Sequence, residues 1–169
     1  MPKKKKTAEQ RNAELSAEYT YAPIAMLIAD ENSEDKRHWQ AKNCDRLADY
    51  METVPDKKHC QSTYAFMWND HGYNTNTNKY ERYACGTPAC ALGHAAYSNE
   101  FPGLQFGVRY ESRDVADVAP IVNGEAVSWV AAGRLFFSRY AKNRIFSNTY
   151  HSKQRVIELL REAADLLRS

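Results

Sequence analysis

The chain predicts a mainly helical α+β fold, a single globular domain over residues 7–169 with a small strand and hairpin component between residues 62 and 126. Three observations carry this expectation. Ser33, Ser128 and Ser152 each stand immediately before a stretch whose apolar residues keep helical spacing, the arrangement of an N-capped amphipathic helix. Leu104, Phe106, Val108 and Tyr110 alternate with other residues, as a strand requires. Val122-Asn-Gly-Glu125 is a type I′ hairpin signal, because both central residues of that turn need positive φ.

In chain order, Lys3 to Lys6 form a basic tail within residues 1–6, which is expected to be disordered. Thr7-Ala-Glu-Gln10 is a capping-box pattern that opens a helix over 7–19. Pro23 interrupts it, and Ile24, Met26, Leu27 and Ile28 follow as a short buried element of either type. The helix opened by Ser33 carries Glu34 and Asp35 in its first turn, where negative charge suits the dipole. It continues through Trp39, Cys44, Leu47, Ala48 and Met51 until Pro55 closes it. Tyr64, Phe66 and Trp68 suggest a short strand, and the polar stretch 69–79 reads as a loop without packed structure. Thr87 as N-cap and Pro88 at the first position predict a short helix over 89–97 built from small residues. Helices over 129–140 and 153–167 complete the chain.

Composition narrows the function classes. With 43% hydrophobic and 26% charged residues, the 169-residue chain is neither fully disordered nor a disulfide miniprotein. No apolar run approaches the roughly 18 residues of a membrane span, so a cytoplasmic protein without membrane contact is expected. The 23 basic residues nearly balance the 21 acidic ones, which disfavours nucleic acid as the partner. Eleven tyrosines against seven glycines suit contact surfaces and half-buried core positions alike. Walker A, Gly-x-Gly-x-x-Gly, His-Glu-x-x-His and Gly-x-Ser-x-Gly motifs are all missing from the sequence.

The most specific local pattern is Cys85-Gly-Thr-Pro-Ala-Cys-Ala-Leu-Gly-His-Ala-Ala96. It resembles a family of small uncharacterised phage and bacterial proteins built around a Cys-Gly-Thr-x-x-Cys-x-x-Gly core. Arg46-Leu-Ala-Asp-Tyr-Met-Glu-Thr-Val-Pro55 looks like that family's leading helix, and Ala132-Gly-Arg-Leu-Phe136 through the final helix is similar to its closing helices. The resemblance implies a fold unit and a phage setting without assigning an activity.

Three chemistries compete for the same segment. Cys85, Cys90 and His94, helped by His59, Cys60 or His71, contain the ligand types of a tetrahedral zinc site, yet Cys-x4-Cys-x3-His matches no common finger. Cys85 before a helix N-terminus has the setting of an activated thiolate, with His59, His71 or His151 as a distant base. Alternatively, Gly86 and Thr87 cradle an anion at the helix start while Tyr73, Tyr80 and Tyr83 stack a base beside Lys79 and Arg82. The third reading leads: a non-enzymatic binding protein, a phage accessory factor countering host defence by capturing a nucleotide-like small molecule or a host protein. Its expected ligand-binding residues are Tyr80, Arg82, Tyr83, Cys85, Gly86, Thr87 and His94, with no metal or other cofactor. The alternative is a Cys-dependent enzyme or zinc-stabilised domain centred on Cys85, Cys90 and His94.

Overall fold

The computed structural model of the chain describes residues 22–59, 73–74, 79–80, 90–111, 116–148 and 150–169. Its elements in order are helices α1 (Ile24–Ile28) and α2 (Glu34–Thr53), a 3-10 turn (Asp56–Lys58), strands β1 (Tyr73–Asn74) and β2 (Lys79–Tyr80), and helix α3 (Ala91–Ser98). Strands β3 (Leu104–Glu111), β4 (Ala116–Val122) and β5 (Glu125–Ala126) come next, then helix α4 (Trp129–Ala141), a π-helical turn (Lys142–Phe146) and helix α5 (Lys153–Arg168). The fold is a mainly helical α+β one. Strands β3, β4 and β5 form an antiparallel sheet in that order, and β1 pairs with β2 separately.

The three serine caps form as their side chains require. Ser33, Ser128 and Ser152 accept hydrogen bonds from the backbone N–H of Lys36, Ala131 and Arg155, satisfying donors that a helix start leaves unpaired. Helices α2 and α5 pack along each other at the centre. Leu47, Ala48 and Met51 of α2 and Val156, Leu159, Leu160, Ala163 and Ala164 of α5 are all essentially inaccessible. Helix α3 is built mostly of small and apolar residues, is buried from Ala91 to Tyr97, and lies against α2 and the sheet. The hairpin turn between β4 and β5 has positive φ at Asn123 and Gly124, as the Asn-Gly pair demands. The Asn123 side chain also binds both backbone groups of Ala22, while Gly103, at φ +75°, leaves room where a Cβ would run into Ala22 and Asn123.

Helix α4 is not continuous. Ser138 has φ 96° and ψ 162°, a region close to glycine-only that costs about 1–3 kcal/mol for other residues. The chain turns a corner there. A Cβ on Gly133 would lie 3.1 Å from a ring carbon of Phe146. Thirteen residues of straight helix span about 20 Å, too far for one side chain to bridge. The second segment therefore folds back on the first, with Phe146 edge-on to Phe137 at 5.4 Å. A helix that stops at Phe137 leaves the carbonyls of its last turn unpaired. Helix α2 supplies the donors. Gln40 Nε2 donates to the Arg134 and Leu135 oxygens (3.0 and 3.1 Å), Asn43 Nδ2 to Phe136 (3.0 Å) and Cys44 Sγ to Phe137 (3.4 Å). Burial pushes the Cys44 thiol well above its ordinary range, which keeps the proton on sulfur for that contact. Ser138 Oγ in turn accepts from Ala141 N–H and caps the second segment.

Several expectations need correction. The third helix begins at Ala91 with Cys90, in extended conformation, as its N-cap, so Thr87 and Pro88 do not open it. The element at residues 24–28 is a helix, and Ile24 (66%) and Ile28 (79%) are exposed instead of buried. Part of the expected loop 69–79 pairs as strands, Tyr73 with Tyr80 and Asn74 with Lys79. The basic tail, the helix over 7–19 and the strand at 64–68 lie outside the described residues.

Candidate functional site

The residues expected around the Cys-Gly-Thr turn are only partly described. Arg82, Tyr83, Cys85, Gly86 and Thr87, with Cys60 and His71, lie outside the described residues. Tyr80 is on β2, across from Tyr73. Cys90 and His94 occupy the first turn of α3, where the His94 N–H donates to the Cys90 carbonyl at 2.9 Å. Both side chains are buried, His94 completely. His94 Nε2–H donates to the Lys58 carbonyl at 2.8 Å, so that nitrogen anchors the 3-10 turn and carries no lone pair for a metal. Among the described residues, no group of three His, Cys, Asp or Glu side chains is placed to hold a metal ion.

Two further histidines behave in the same way. His59 Nε2–H donates to the His151 carbonyl (3.3 Å), and His151 Nε2–H to the Arg144 carbonyl (3.0 Å). Burial holds His59 below the ordinary imidazole value, because desolvation penalises its charged form. His59 ties the end of the 3-10 turn to the loop before α5, His151 ties that loop to the π-helical turn, and the loop borders a cleft.

The cleft has a volume of about 300 Å³ and is lined by Asn143, Arg144, Asn148, His151, Arg155 and Leu159. The π-helical turn carries Asn143 and Arg144; the loop after it carries Asn148 and His151. The first turns of α5 supply Arg155 and Leu159. Its described lining side chains are rich in hydrogen-bond donors. Asn143 Oδ1 already accepts from Lys142 Nζ, and Asn148 Oδ1 from the Tyr150 N–H, both at 2.9 Å. Each amide keeps its NH₂ group to offer, while its oxygen has one of its two lone pairs already in use. Arg155 is shared with Glu158 (3.1 Å) and Glu162 (3.3 Å). Arg144 has no carboxylate partner among the described residues, and its guanidinium carbon lies 6.0 Å from the centre of the Tyr140 ring. Among the described residues, no acidic side chain lines the opening. Two guanidiniums and two amide NH₂ groups around one cleft can receive the oxygens of an anion.

None of the six lining residues is among those expected from the sequence to bind ligand, although His151 has the residue type of a distant base. They span residues 143–159 with no motif spacing. The one signal in the sequence is the crowding of Lys142, Asn143, Arg144 and Asn148 just before a capped helix. No family model, curated protein or solved structure matches the chain. Among the described residues, no helix is long and apolar enough to cross a membrane.

Proposed function

We propose that the chain is a non-enzymatic binding protein that captures an anionic, nucleotide-like small molecule, with a phosphate of the ligand seated in the cleft between the π-helical turn and α5. The observation that carries this reading is the donor-rich lining of the cleft. Arg144 lacks a carboxylate partner among the described residues, and the Asn143 and Asn148 oxygens each already accept one hydrogen bond. A volume of about 300 Å³ is at the lower end for small-molecule sites, enough for the phosphate-bearing end of a nucleotide. The wider role, a phage accessory factor withdrawing a nucleotide signal of host defence in the host cytoplasm, is proposed on the resemblance of the Cys85 segment taken together with this cleft.

Calorimetric titration with pyrophosphate and with a panel of nucleoside phosphates at low ionic strength tests the reading. Saturable binding is expected, weakened about tenfold or more in Arg144→Gln, since a charge-assisted contact contributes about 1.5–3 kcal/mol. If neither pyrophosphate nor any nucleotide binds, the cleft reading fails and capture of a host protein becomes the expectation to pursue.

A further inference from the structure

We propose that the corner at Ser138 is the positioning device of the anion cleft, held in place from outside by the Gln40, Asn43 and Cys44 side chains of α2. The inference rests on the anion-binding reading of that cleft. In a straight α4, Arg144 would lie about 10 Å beyond Phe137 along the axis. Instead the corner returns the second segment alongside the first, and its last turn presents Asn143 and Arg144 opposite Asn148, His151 and Arg155. The His151 bond to the Arg144 carbonyl ties the two walls together.

Two helix geometries compete for the same carbonyls. In a continuous helix, the Leu135, Phe136 and Phe137 oxygens would accept from residues four further along. In the observed corner they accept from Gln40, Asn43 and Cys44. Straightening the helix would strand those donors, of which Gln40 and Asn43 are 2% and 4% exposed. Helix α2 thus selects the corner, and Ser138 carries its backbone strain while capping the second segment. A π-helical turn shortly after the break fits this role, since such turns are frequent at functional sites.

Ser138→Ala and Ser138→Gly separate the corner from the hydroxyl. Both remove Oγ, but only glycine tolerates positive φ. The readouts are pyrophosphate affinity by calorimetry, amide exchange over residues 139–148, and melting temperature. Ser138→Ala is expected to weaken pyrophosphate binding about tenfold and to raise exchange across that segment, with Ser138→Gly within about twofold of the unmodified chain. Equal exchange in the two variants, or full affinity in the alanine variant, overturns the proposal. If Ser138→Ala does not fold, Gln40→Leu takes its place, with the same losses expected; unchanged exchange over 139–148 overturns the proposal there too. An unmodified chain that ignores pyrophosphate sinks the anion reading, and the exchange comparison then decides the corner by itself.

Discussion

His59 lies half-buried between the 3-10 turn and the loop before α5, with Nδ1 buried and without a partner among the described residues. Desolvation outweighs its backbone bond to His151, and Lys153 adds to the penalty while Asp56 opposes it. Its folded-state pKa is therefore below the ordinary 6.5. As pH falls through that value, the unfolded chain takes up a proton that the folded chain refuses, so stability is lost on the acid side. Between about pH 7 and pH 5, urea unfolding should show a steeper fall for the unmodified chain than for His59→Gln, which keeps a donor for the His151 carbonyl without titrating. Identical pH slopes for the two proteins would count against this account. The same residue shows how little of a histidine's role is legible in one dimension. His59, His94 and His151 all carry the residue type of a metal ligand or a base, yet each uses an Nε2–H to hold a distant carbonyl.

At the scale of the element, helix starts were legible and helix interiors less so. The Ser33, Ser128 and Ser152 caps could be read because a cap is a local pairing of a side chain with an N–H three residues away. Thr-Pro is an equally local signal, yet α3 starts later, at Ala91, with Cys90 in the cap position and without a side-chain cap bond. The corner in α4 had no local warning. Gly133 is the residue that makes it packable. It lies inside the first segment, and an added Cβ would meet Phe146 at 3.1 Å and Leu92 at 3.3 Å. Neither neighbour is free to yield, since Phe146 is held by Phe137 and Leu92 is 1% exposed. Gly133→Ala should therefore lose about 1 kcal/mol in chemical denaturation despite alanine's better helix propensity. A gain in stability would mean that the fold-back is looser than its geometry indicates.

For the whole molecule, the α2–α5 pair is the beam on which the other elements rest. Leu160 is fully buried in it, and Leu160→Ala should cost about 2–5 kcal/mol, read as a shift in denaturation midpoint at unchanged slope. The ion pairs along the rim are a weaker tie. Arg161 reaches Asp45, Asp49 and Glu52, and Arg168 reaches Asp45, all with partly exposed side chains. Exposed pairs contribute about 0–1 kcal/mol each and are screened by salt. Raising the salt concentration should thus lower the midpoint far less than Leu160→Ala does, and the reverse order would make the rim the main tie.

Composition, periodicity and capping residues were enough for the mainly helical class, the Asn-Gly hairpin and the ends of α2 and α5, because each depends on residues within a turn or two of one another. The buried polar set on α2 could not be read in that way. Lys36, Gln40 and Asn43 look like one solvated helix face, yet all three are at most 4% exposed. Lys36 donates to the Met26 carbonyl and lies over Trp39, while Gln40 and Asn43 serve carbonyls more than 90 positions away. The cleft has the same origin. Arg144 and Arg155 are ordinary surface residues until the corner at Ser138 brings one turn of helix back beside another. Packing decided both, because a freed carbonyl needs a donor wherever the fold can supply one, and a hydrogen bond has no memory of sequence separation.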